Sequence, residues 1–118
     1  MIDLLRGRAG AIKRNEALAR PALVSPITIE EVWRGAKSAE HAAIDGLFRS
    51  LRVVHLDAIA AERSGRWRGE FAARGITVGQ ADCLIAAAAV GAGARLATGN
   101  PRDFPMEGLE VEHWPVGS

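Results

Sequence analysis

At 118 residues, with 48% hydrophobic and 25% charged residues, the chain is sized for one globular domain with one sizeable core, and is neither a disordered tail nor a fibrous repeat. A net charge of +1 argues neither for nor against a nucleic-acid partner, and the single cysteine, Cys83, excludes an intramolecular disulfide and a cysteine-based metal site. No apolar run reaches transmembrane length and no signal-peptide pattern opens the chain, so the protein is expected in the cytoplasm, with no membrane partner.

In chain order, Ile2, Leu4, Leu5, Ile12 and Leu18, with Arg6, Arg8, Lys13 and Arg14 between them, read as a helix over residues 3–18 that Pro21 ends. Ala22-Leu23-Val24 fits a short buried strand. Ser25-Pro26 marks a helix start, with Ser25 or Thr28 as its cap, and the helix runs over 27–37. A second helix follows over 40–49, then a strand over 53–56. Asp57 caps a longer helix to about Ala73, which Gly75 ends. Residues 80–90 form an alanine-rich helix whose small side chains permit close packing, closed by Gly91 and Gly93. Strands over 95–97 and 109–113 complete the pattern. Strands alternating with helices predict an α/β fold with a small, mostly parallel sheet flanked by helices. Gly91-x-Gly93 does not make a dinucleotide loop, because that loop needs a strand before it and a helix after it, and here the order is reversed.

The chemistry is concentrated at element ends. Gly79-Gln80-Ala81-Asp82 places an acid in the first turn of a helix, where the helix dipole favours its charged form. Thr98-Gly99-Asn100-Pro101-Arg102-Asp103-Phe104 places another acid in a turn after a strand, and Glu30-Glu31 lies on the helix that starts near Ser25. Three separated acids at such junctions suggest a site for a hard divalent cation, which takes oxygen ligands and usually few carboxylates plus waters. Residues 1–74 carry 13 Lys/Arg against 9 Asp/Glu, and residues 75–118 carry 2 against 5. An acidic half that holds a metal beside a basic half suits a phosphate-bearing substrate, although solvated surface charge gives the same counts. Cys83, between Asp82 and Leu84, reads as a buried inert thiol; His41, His55 and His113 show no spacing that would activate it. Trp33, Trp67 and Trp114 are too dispersed for an RNA-stacking platform and read better as packing residues. Arg66-Trp67-Arg68 suits RNA or a protein partner equally.

These residues resemble the PIN-domain ribonucleases, in particular the VapC toxins of bacterial type II toxin–antitoxin pairs. Ser25-x-x-Thr28-x-x-Glu31-Val32-x-x-Gly35, Ala81-Asp82-x-Leu84-Ile85-Ala86-Ala87, Thr98-x-Asn100-x-x-Asp103-Phe104 and Gly108-Leu109-x-Val111 are similar, in order, to successive motifs of that family. The resemblance implies a single PIN-like domain over 1–118 and a three-layer α/β fold. It implies an endoribonuclease toxin that hydrolyses RNA phosphodiesters with Mg²⁺ or Mn²⁺, is neutralised by a cognate antitoxin whose segment fills the acidic groove, and forms a homodimer. It singles out Asp82, Glu31 (rather than Glu30) and Asp103 as metal ligands and catalytic acids, and Thr98 and Asn100 as substrate-binding residues. The family opens with an apolar strand that ends in a metal-binding Asp, whereas this chain begins Met1-Ile2-Asp3-Leu4-Leu5-Arg6-Gly7 and matches only from the end of that motif. The resemblance therefore places the first, central strand and its Asp before Met1. That leaves an N-terminally truncated domain, with a native protein expected to be longer than this sequence; the alternatives are a four-strand remnant or a sheet completed by another chain. The alternative function that follows is a catalytically incomplete module that only binds protein or RNA.

Overall fold

The computed structural model describes residues 3–7 and 22–113. Among these, five strands form one sheet: β1 (Asp3–Leu5), β2 (Ala22–Val24), β3 (Arg52–Val53), β4 (Arg95–Thr98) and β5 (Val111–His113), in the spatial order β3-β2-β1-β4-β5. Every pairing is parallel. The described helices are α1 (Pro26–Arg34), α2 (His41–Ser50), α3 (Ala58–Ala73) and α4 (Gln80–Gly91), with single 3₁₀ turns at Ser38–Glu40 and Pro101–Asp103. The expected α/β class with a small parallel sheet flanked by helices is thus realised.

Two expectations about the N-terminus are corrected. Residues 3–5 form a strand and not the start of a helix, and that strand holds the central place expected to be missing, paired with β2 on one side and β4 on the other. Residues 8–18 of the expected helix lie outside the described residues. The physical reason is the Leu4-Leu5 pair. Successive side chains on a strand point to opposite faces, and a central parallel strand is covered on both. Leu4 is 0% exposed and Leu5 is 1% exposed, each in a different core.

The two faces follow from register. Leu4 lies beside Leu23 and Leu96, and Leu96 beside Val111, so one face presents a row of apolar side chains. That row packs with Phe71, Cys83, Ile85, Ala86 and Ala89 from α3 and α4, and with Phe104 and Met106. Leu5 and Ala97, next in register, face the other way and pack with Leu47, Phe48 and Val32 from α2 and α1. The result is helix, sheet, helix. Ala86, Ala87 and Ala89 are fully buried, so small side chains let α4 lie close to its neighbours as expected.

Most element ends follow their sequence signals. Ser25 caps α1, its Oγ accepting from the Thr28 N–H at 3.1 Å, and Asp57 caps α3, its Oδ1 accepting from the Ala60 N–H at 2.9 Å. Gly75 follows α3 with φ of +73°, a conformation that glycine adopts without strain. The third strand starts earlier than expected and is shorter, at Arg52–Val53, although the Val54 N–H still donates to the Val24 carbonyl at 2.9 Å. Trp33 stacks edge-on with His41 at 5.3 Å and Trp67 packs against the core; Trp114 lies outside the described residues.

Candidate active site

A parallel sheet collects the C-terminal ends of its strands along one edge. Where chain progression reverses, here between β1 and β4, the loops part and leave a crevice. Arg6 leaves β1 at this point, with its backbone N–H held by the Ala97 carbonyl at 3.0 Å. Thr98 ends β4 beside it, and α1 starts from the end of β2. A cleft of about 510 Å³ opens here, lined by Arg6, Glu31, Thr98, Asn100 and Asp103, among others.

Glu31 is carried in by α1, whose start is fixed by two fully buried side chains: Ser25 caps the helix and donates to Thr28 Oγ1 at 3.3 Å. Glu30, its neighbour, is exposed, as expected for a helical residue about 100° away. Gly79 before α4 offers no side-chain cap, and Asp82 stands in the helix's first turn, the favourable end of the helix dipole. The Asp82 carboxylate turns to Arg6. Gly79 makes room for that turn: a Cβ there would lie 3.3 Å from Asp82 Oδ2, closer than side chains normally pack.

The centre of the site is Arg6. Its Nε donates to Glu31 Oε1 at 3.2 Å and its Nη2 to Glu31 Oε2 at 2.8 Å, a two-pronged pair, while its Nη1 donates to Asp82 Oδ1. These carboxylates come from positions 25 and 76 residues away in sequence. The guanidinium carbon also lies 5.7 Å from the Phe104 ring centre. Burial by itself would lower the Arg6 pKa; the hydrogen bonds and charges of Glu31 and Asp82 outweigh it and hold the pKa above its ordinary value. Arg6 stays cationic throughout the accessible pH range.

The other expected residues take different roles. Asp103 is exposed on the 3₁₀ turn and lines the cleft without joining the Arg6 cluster, while Phe104 behind it is buried and anchors the turn. Thr98 is 2% exposed and its Oγ1 accepts the Asn100 N–H at 3.2 Å, which shapes the turn; Asn100 is exposed on the cleft wall. Glu40, which the sequence did not mark, also lines the cleft, although its Oε1 accepts the Lys37 N–H at 2.8 Å. Among the described residues no three His, Cys, Asp or Glu side chains converge closely enough to hold a metal ion. Glu31 and Asp82 share one cationic group, the Arg6 guanidinium. Two carboxylates with water are the protein share of many Mg²⁺ sites, so the donor set fits such an ion in chemistry and in number. Arg6 itself was missed from sequence because the apolar spacing read as a helix and made it one basic residue among several on a solvated face. Nothing short of the strand assignment would have aimed it at the acids.

A profile of the PIN domain matches residues 1–105. Over 97 residues the chain is 34% identical to the tRNA(fMet)-specific endonuclease VapC of Shigella flexneri, spanning 77% of this chain and 74% of that relative. The endonuclease of the same name from Salmonella typhimurium is 33% identical over the same length. Among solved structures, VapBC2 from Rickettsia felis bound to a promoter DNA fragment superposes with a TM-score of 0.77 at 26% identity, covering 97% of this chain and 99% of that one. DNA-bound VapBC from Salmonella typhimurium gives the same TM-score at 27% identity. The match of the family profile to most of the chain, with relatives above 30% identity, shows that the chain is a member of the PIN domain family.

Proposed function

We propose that the chain is a VapC-type endoribonuclease toxin that cleaves an RNA phosphodiester with Mg²⁺ or Mn²⁺, acts in the cytoplasm and is neutralised by a cognate antitoxin. The observation that carries this reading is the convergence of Glu31 and Asp82, from distant segments, on the Arg6 guanidinium at the switch point of the sheet. The relatives named as tRNA(fMet)-specific endonucleases and the VapBC assemblies support the substrate class and the partner. Initiator tRNA is accordingly the first substrate to test.

Glu31 and Asp82 would hold the ion, and Asp103, which also lines the cleft, would add negative charge to it. When bound, a divalent cation supplies a lowered pKa for water and charge compensation for phosphoryl oxygens. Asn100 offers an amide at the cleft wall to a phosphate oxygen, and Thr98 keeps the turn that presents it. The buried cap at Ser25 and Thr28 fixes the entry of α1 and so the position of Glu31.

The test is cleavage of radiolabelled initiator tRNA by the purified chain with Mn²⁺. Asp82→Asn and Glu31→Gln should each lose more than the ~10–100-fold that removal of a merely supporting residue costs at a metal site. Chelation should abolish cleavage, and added Mn²⁺ should restore it. Cleavage that survives both chelation and Asp82→Asn refutes the reading. A second reading, a binding-only module, is favoured by one observation: Arg6 already pairs with both converging acids. RNA binding with no cleavage at any Mn²⁺ concentration would establish it.

A further inference from the structure

We propose that Arg6 is a built-in occupant of the cation site, so that the Arg6 guanidinium and a divalent ion exclude one another on Glu31 and Asp82. This rests on the reading of that acid pair as the metal site and adds its regulation.

The geometry makes the two occupants competitors. Both oxygens of Glu31 and one of Asp82 are engaged by the Arg6 fork. A hard divalent ion binds carboxylate oxygens at about 2.0–2.1 Å and needs the same lone pairs and the same space. Charge points the same way. Arg6 with two carboxylates sums to −1, and a divalent ion in its place gives neutrality. Both together would force like charges into one small, partly buried volume, where Coulomb repulsion is weakly screened. The exchange does not require the fold to open. The Arg6 backbone is tied to Ala97, but its side chain lines the open cleft, so the stem can rotate outward while β1 stays in register. The fork matters as well as the charge: a planar guanidinium grips two carboxylates at once, which a lysine ammonium, as a point charge, does less well.

The experiment is calorimetric titration of Mn²⁺ into the full chain, with circular dichroism and thermal unfolding to confirm the fold, for the wild type, Arg6→Gln, Arg6→Lys and Asp82→Asn. Arg6→Gln should bind Mn²⁺ at least about tenfold more tightly than wild type, the scale of losing charge-assisted hydrogen bonds. Mn²⁺ should also raise its melting temperature more than that of wild type, because the ion takes over the counter-charge. Arg6→Lys should fall between the two, and it decides the matter if Arg6→Gln does not fold. Equal Mn²⁺ affinity in wild type, Arg6→Gln and Arg6→Lys, lost in Asp82→Asn, overturns the role of Arg6 and leaves the metal site standing. No Mn²⁺ uptake by any folded form overturns both.

Discussion

Cys83 follows Asp82 directly, and the two side chains point about 100° apart on one helix: the carboxylate to Arg6, the thiol into the core. Burial pushes the Cys83 pKa up; Arg68 opposes this and Asp82 adds to it. The thiol is therefore protonated and inert in the native state. Native protein at pH 8 should resist iodoacetamide and label fully only in denaturant; rapid labelling of the folded chain would contradict the burial. The sign of the pH effect follows. Because the folded-state value is raised, the neutral thiol's contribution to stability is complete below its ordinary value of 9.0 and declines as pH rises through the raised one. Cys83→Ala should flatten that alkaline decline in urea unfolding. This residue was legible in sequence from its apolar neighbours. Arg6 was not, because its role depends on two acids that only the fold brings to it.

The helices carry their boundaries in local chemistry. Asp57 sits in extended backbone and caps α3 through the Ala60 N–H. One of the four unpaired amide donors at that end is thereby satisfied. Asp57→Ala should lower stability by about 1 kcal/mol and leave metal binding unchanged, since Asp57 is not on the cleft. Urea unfolding of the variant measures it, and no loss of stability would mean that water serves the Ala60 amide equally well. Caps and glycine stops were readable because they act within three or four residues. Strand ends were less so. β3 retains one further ladder bond beyond its last residue, at Val54, and β5 is shorter than the expected 109–113, although the Leu96 N–H still donates to the Glu110 carbonyl just outside it.

At the scale of the whole molecule, a three-residue strand separates two cores. Leu4 closes the larger one, with Leu23 and Leu96 beside it, and Leu5 the smaller one with Ala97 and Leu47. Leu4→Ala should cost about 2–5 kcal/mol, since it empties a fully buried site flanked by Leu23 on β2 and Leu96 on β4. Against a total of ~5–15 kcal/mol for a domain of this kind, that is a large share. The measurement is urea unfolding; a loss under about 1 kcal/mol would show that β1 is not the centre of the sheet. The same strand delivers Arg6 to the crevice, so damage to the larger core should also disturb the Glu31–Arg6–Asp82 cluster.

The amino-acid sequence alone determined the α/β class, the helices from residue 26 onward, the caps at Ser25 and Asp57, the buried thiol, and the acids Glu31, Asp82 and Asp103 as the residues of interest. Each of these is set by local periodicity, by hydrogen bonds within a few residues, or by motifs of fixed spacing. Tertiary structure decided the rest. Leu4-Leu5 fits a helix or a strand by spacing, and only coverage from both faces selects the strand. The convergence of Glu31 and Asp82, the separation of Asp103 from them and the cation between the pair depend on strand order and register. Those are long-range properties: they bring residues 6, 31 and 82 together through the packing of the whole sheet, which no local pattern encodes.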